Sequence, residues 1–151
     1  MSDGILDRLA ELELTIPGIN AAYADVPNNV LSDTELPCFL NMAGPASYRR
    51  VNDSQYEEDG QYTALLLVQK AITGVPGEAS TAIRPWRDTV RDFFMARPTL
   101  DGHRYVMYYP EGGLQGAGQP GQVPVPRWGV IYLGCEFTFR FVELLPLDLE
   151  E

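Results

Sequence analysis

Three glycines at residues 116, 118 and 121, in the run GAGQPG, have the spacing G-x-G-x-x-G. That spacing lets a backbone approach a dinucleotide pyrophosphate when it follows a parallel strand and opens a helix aimed at the phosphates. Here Pro120 lies inside the pattern, and Pro124 and Pro126 follow it. A segment so rich in proline, with no helical periodicity behind it, is not expected to start a helix. The plainer reading is a connector between two strands, with no nucleotide bound.

The other reactive residue types lead the same way. His103 is the single histidine, so any Ser-His-Asp or Cys-His centre, and any imidazole-bound zinc, would have to use it. It stands in DGHRY, a polar turn where a solvated imidazole is the default. The sequence holds no GxSxG, CxxC, HExxH or GxxxxGK[ST]. Neither a catalytic residue nor a cofactor nor a metal site is therefore expected. Cys38 and Cys135 fall in different predicted strands and read as buried free thiols. Asp53, Glu57, Glu58 and Asp59 gather at an expected hairpin tip, but their spacing departs from a calcium loop; a solvated strand end is the better account. Arg84, Arg87 and Arg91 share one side of a predicted helix, flanked by Asp88 and Asp92. They read either as salt-bridged on an open face or as a contact surface for an acidic neighbour.

Charge narrows the partners. Twenty-one acidic residues oppose eleven basic ones, a formal net charge of −10 across 151 residues. A dedicated nucleic-acid or anionic-membrane binder needs a positive field, which this chain lacks as a whole. A protein that lets DNA pass without gripping it is still allowed. The opening MSDGILDRLAELEL has no basic n-region or long apolar stretch, and no apolar run is long enough to span a bilayer. A reducing, aqueous compartment is expected.

These residues must be held by elements that the apolar periodicity outlines. Residues 3–14 predict a helix, capped by Asp3, with Ile5, Leu6, Leu9 and Leu12 on its buried face and Asp7, Arg8, Glu11 and Glu13 outside. Residues 38–43 read as a short buried strand. Residues 48–56 and 62–72 read as hairpin arms joined through EEDG, with Asp59-Gly60 as the turn. The middle of YTALLLVQKAI is apolar on both faces, as in a central strand covered on both sides. A second helix is predicted from near Pro85, with a possible earlier turn from Ala79, to before Pro98. Its apolar face holds Ile83, Trp86, Val90, Phe93 and Phe94. Residues 105–109 predict a strand. From Ile131, the row Ile131, Leu133, Cys135, Phe137, Phe139 and Phe141 alternates with other residues, which predicts a long strand with one face in the core.

The expected architecture is a single α+β domain: a mostly antiparallel sheet of about four or five strands with two helices packed on one face. Residues 110–127 are expected to form a long Gly/Pro-rich loop without secondary structure. Loops of that length in compact domains are usually functional or disordered. An arm that orders against a neighbouring subunit is the favoured reading, and removal of residues 112–122 is expected to leave the domain folded.

In order and spacing the chain resembles the tail terminator (tail completion) proteins of long-tailed bacteriophages. The resemblance runs through IPGINAAYADVP after the first helix, ELPCFLNMAG, YTALLLVQKAITG, PWRDTVRDFFMARPTLDG and the final strand YLGCEFTFRFVE. It implies a homo-oligomeric, hexameric ring on the last ring of the tail tube. The ring would contact the tail tube protein and a head-side connector or stopper protein, and DNA would pass through its lumen unread. It implies no catalytic residue, no membrane, assembly in the host cytoplasm and residence in the virion. By the same resemblance the 48–62 hairpin and the 110–127 loop are candidate subunit contacts. The candidate interface residues are Leu114, Gln115, Gln119, Gln122 and Arg127, together with Arg84, Arg87 and Arg91. Two alternatives stay open: another neck component, and a small monomeric enzyme or ligand-binding module with a tyrosine-lined pocket.

Overall fold

The computed structural model describes residues 4–71, 78–101, 113–125 and 128–147. They form helices α1 (Ile5–Glu13) and α2 (Glu78–Met95) and strands β1 (Ala21–Tyr23), β2 (Cys38–Arg50), β3 (Gln55–Lys70), β4 (Gly113–Ala117), β5 (Gly121–Val125) and β6 (Val130–Pro146). The sheet order is β1-β2-β3-β6, with β4 and β5 both paired to the outer edge of β6. Only β1 and β2 run parallel; every other pair is antiparallel. The α+β class is as the sequence predicts, with six strands in place of about four or five.

The alternating row on β6 builds the main core. Leu133, Cys135, Phe137, Phe139 and Phe141 lie against Ile5, Leu9 and Leu12 of α1 and Ile83, Val90 and Phe94 of α2. Phe94 meets Phe139 edge-on, ring centroids 5.0 Å apart. Each buried phenylalanine stabilises the fold by roughly 1.5–3 kcal/mol over an exposed one. Ile131, the first residue of the predicted row, is instead 45 % exposed. It sits opposite Pro124 at the sheet margin.

On the opposite face, Cys38, Leu40, Leu65, Leu67 and Tyr132 form a second cluster, under Val26, Leu31 and Leu36 of the segment before β2. Trp128 Nε1–H pins that segment by donating to the Pro27 carbonyl at 2.9 Å. So β3 is covered on both sides across Ala64 to Leu67, as its apolar run predicts. The two cysteines are free and buried, and they belong to opposite faces of the sheet.

The hairpin turn lies elsewhere than expected. It falls at residues 51–54, where Asn52 Oδ1 accepts from the Ser54 amide at 2.9 Å and the Gln55 carbonyl accepts from the Val51 amide at 3.0 Å. Residues 38–43 and 48–50 are therefore one strand, β2, with a bulge between Ala43 and Ala46. Asp59-Gly60 sits inside β3, because the Asp59 carboxylate is neutralised by Arg140 across the sheet and the Tyr62 ring lies over Gly60. Of the acids expected at the tip, only Asp53 is in the turn.

The second helix starts at Glu78, with Pro85 within it. Thr81 and Pro85 are both exposed, so the loss of that helical hydrogen bond occurs where water is at hand. Glu13, expected on the outer face of α1, is fully buried. Residues 113–117 and 121–125 are not a loop: they are strands β4 and β5 on the margin of the sheet. Apolar Leu114 and Val125 pack onto the two clusters and hold the segment there. The Asp3 cap, the 105–109 strand, His103 and Arg127 lie outside the described residues.

Close approach makes one glycine obligatory. A Cβ at Gly134 would stand 1.9 Å from the Leu66 carbonyl oxygen, where β3 and β6 shift register.

Candidate subunit interface

The two margins of the sheet are built from different chemistry. On one side β1 pairs with β2 only at Cys38, Phe39 and Leu40. Beyond it, residues 43–50 of β2 are all exposed, so this stretch is a strand edge open to solvent. After the Ala43–Ala46 bulge the pairing with β3 is regular from Ala46 to Arg50. An edge of this kind is one to which another strand can add.

The end of this hairpin is aromatic and basic. Tyr48 is 65 % exposed and Val51 47 % exposed. The Tyr48 and Tyr56 rings lie 6.2 Å apart. With Leu147 and the stems of Arg49 and Arg50 they line a cleft of about 350 Å³. Arg49 pairs with Glu57 at 2.9 Å, while Arg50 donates to the Asn52 and Asp53 carbonyls at 3.2 and 3.3 Å. The Glu58 charge, beside the hydroxyl at 3.5 Å, pushes the Tyr48 phenol above its ordinary value. It stays neutral at physiological pH. Tyrosine and arginine around an exposed apolar cleft is the composition that protein interfaces favour.

The other margin is interrupted. β4 pairs with residues 137–140 of β6 and β5 with residues 130–134, so the two run in line as one broken strand. GAGQPG is the break. The Gly118 amide donates to the Glu136 carbonyl at 2.6 Å, and the Gly118 carbonyl accepts from Cys135 Sγ at 3.1 Å and from Arg87 Nη1 at 3.5 Å. A second bulge lies between Leu114 and Gly116, and Pro120 and Pro124 remove amide donors. Bulges and prolines of this kind blunt an edge against strand addition. This margin meets a neighbour through side chains.

The predicted interface residues separate accordingly. Gln119 and Gln122 are exposed along the blunted margin, and Gln115 is exposed at its bulge. Leu114 is packed on the helix-side core and belongs to the fold, since its side chain completes the cluster around Phe139. Arg87 bridges α2 to the Gly118 carbonyl and so stands at the same margin. Arg91 is held by Asp88 at 3.2 Å and Asp92 at 3.0 Å, the solvated ion-pair arrangement. Arg84 is exposed on the same helix. The sequence marks the hairpin as a contact candidate, and Tyr48, Val51, Tyr56 and Leu147 join the candidate surface only in the structure. Their signal is Tyr48-Arg49-Arg50-Val51 running straight into Asn52-Asp53, a turn masked by the stronger-looking Asp59-Gly60.

Between the margins lies a hollow of about 680 Å³ with a mixed lining, whose polar side chains include Ser47, Asp59, Gln61, Thr63, Gln115 and Arg140. Its charges answer each other: Arg140 Nε and Nη2 donate to the two Asp59 oxygens at 2.9 and 2.6 Å. That fork lowers the Asp59 carboxyl below the usual range. Both thiols are raised by burial, Cys38 to about 12, with Glu35 and Glu13 adding to the effect at Cys38. They are packing groups, not nucleophiles. Among the described residues no cluster of three or more His, Cys, Asp or Glu could hold a metal ion, and no helix is long and apolar enough to cross a membrane.

No protein-family model matches the chain, and no curated protein does so.

Proposed function

We propose that the chain is a structural virion protein of a long-tailed bacteriophage. In this reading it is a tail terminator that forms a ring on the tail tube and joins it to the head-side connector or stopper protein. The observation that carries the reading is the unlikeness of the two sheet margins. One is an open strand edge ending in Tyr48, Val51 and Tyr56; the other is bulged, proline-blocked and studded with glutamines. A contact between unlike surfaces is heterologous, and repeated contacts of that kind close into a ring when the rotation between copies closes, and run on as a filament when it does not. Six copies is the number the resemblance supplies. The net charge of −10 agrees with a lumen through which DNA slides without being held. The reading assigns the chain no catalytic step.

Co-expression with a phage tail tube protein, followed by native mass spectrometry and negative-stain imaging, tests this. Rings seated on tube ends are the expected result. A chain that stays monomeric and ignores tubes would sink the terminator reading. Rings that bind the head-side connector but never the tube would mark a different neck component.

A further inference from the structure

Among the described residues, one fully buried carboxylate has no cationic partner: Glu13, at the C-terminal end of α1. Its side chain is fully buried among the first helix and the first two strands. Asn41 of β2, also 0 % exposed, faces it. Asn41 Nδ2 donates to Glu13 Oε1 at 2.7 Å and to the Tyr23 carbonyl of β1 at 2.9 Å. The Tyr23 carbonyl can only accept, so it fixes which end of the amide is nitrogen. Two oxygens then remain buried without a partner: Glu13 Oε2 and Asn41 Oδ1. They belong to the same two side chains, already joined through their other atoms.

Two acceptors cannot satisfy one another, but one proton between them converts two orphans into a hydrogen bond. We infer that Glu13 is carried as a neutral carboxylic acid whose Oε2–H donates to Asn41 Oδ1, latching α1 to β2 by a paired acid–amide contact that opens when the proton is lost. The groups nearby supply no counter-charge: Cys38 on β2 is a neutral buried thiol, and Glu35, beyond Tyr23, is a carboxylate that accepts the Tyr23 hydroxyl. Among the described residues no arginine or lysine pairs with Glu13. Burial raises the Glu13 carboxyl well above its ordinary value, only partly offset by the Asn41 hydrogen bond.

The direction of the pH effect follows. A carboxyl held above its unfolded value stabilises the fold fully below the ordinary value of 4.5, and this stabilisation is lost as pH rises toward the folded value. Each pH unit in that window lowers the folding constant by about tenfold for one proton. Glu13→Gln removes the titration and keeps the geometry, because its amide donates where the acid did. Glu13→Ala keeps neither.

The test is a pair of measurements on the full chain. Side-chain ¹³C NMR, with Glu13 assigned by the signal lost in Glu13→Gln, is expected to show a protonated carboxyl at pH 7. A carboxylate signal there would overturn the inference. Hydrogen exchange of the α1 amides, corrected for intrinsic rates, is expected to lose protection as the pH rises from 5 in the parent, by at most about tenfold per unit, and to stay level in Glu13→Gln. Parallel profiles in the two proteins would also overturn it, as would a Glu13→Gln chain destabilised as much as Glu13→Ala.

Discussion

At the scale of single residues, an ion pair across the sheet and two buried thiols carry the plainest tests. Asp59 and Arg140 are the clearest pair, forked at 2.9 and 2.6 Å on neighbouring strands. Arg140 is more than a third exposed, so solvent screening reduces the value of the contact; Arg140→Gln is expected to cost about 1 kcal/mol at pH 7 in denaturant unfolding. Because Arg140 holds the Asp59 carboxyl below its ordinary 3.8, the contribution exists above that value and is lost as pH falls through the folded one. The parent and Arg140→Gln should therefore converge in stability as the pH falls below the ordinary 3.8 and through the folded value. A difference that stays constant down the whole acid limb would mean the arginine acts by packing. The thiols give a second prediction. With Cys38 pushed up to about 12, its thiolate fraction at pH 8 is on the order of one in ten thousand. Neither cysteine should react with a disulfide reagent in the native chain, and both should react promptly in guanidinium. Fast reaction of one thiol in the native state would contradict its burial.

At the scale of elements, the margin formed by β4 and β5 carries more of the fold than its composition suggests. Leu114 packs on the helix-side core and Val125 belongs to the buried cluster of the other face. Removal of residues 112–122, expected from sequence to spare the fold, should instead strip β4 from β6 and expose the neighbourhood of Phe137 and Phe139. The measurable outcome is loss of near-ultraviolet dichroism and binding of a hydrophobic dye. A deletion variant with native dichroism would restore the loop interpretation. Gly134→Ala acts on the other side of β6, at its junction with β3: its Cβ would meet the Leu66 carbonyl at 1.9 Å, a backbone clash that no rotamer relieves. Its expected cost is about 3 kcal/mol or more. What the sequence made readable was whatever had a long apolar period: the faces of both helices, the twice-covered middle of β3 and the phenylalanine row of β6. What it hid was decided by contacts distant in sequence. Asp59-Gly60 has the local chemistry of a turn, but Arg140, eighty-one residues on, holds it in a strand. Glu13 carries a solvent-type side chain, yet Asn41, itself held by the Tyr23 carbonyl, receives it inside. Gly- and Pro-rich β4–β5 has little strand propensity, and β6 supplies the pairing that its own residues do not request.

At the scale of the whole molecule, the proposal of a head-to-tail ring makes a demand that a two-fold dimer does not. Each copy must use two different surfaces, so damage to either should abolish assembly while leaving the fold intact. Tyr48→Asp with Val51→Asp alters only exposed side chains at the hairpin end. Gln119→Lys with Gln122→Lys alters only exposed ones on the opposite margin. Both variants should melt within a few degrees of the parent, since substitutions of exposed groups usually change stability by about 0.5 kcal/mol or less. If the tyrosine is an anchor worth about 2 kcal/mol, its loss weakens each contact about thirtyfold, and a closed ring multiplies that effect over every joint. Either variant alone should therefore sediment as a monomer under conditions where the parent forms rings. Mixed in equal amounts, they retain one good joint, the intact hairpin end of the glutamine variant against the intact margin of the tyrosine variant. The mixture should yield one-to-one dimers and no rings. An interface that uses the same patch on both copies would give no such complementation, because the damaged patch would face every partner. A mixture that stays monomeric at concentrations where the parent assembles would rule out the two-margin arrangement, and parent-like rings from either variant alone would show that its margin is not a joint.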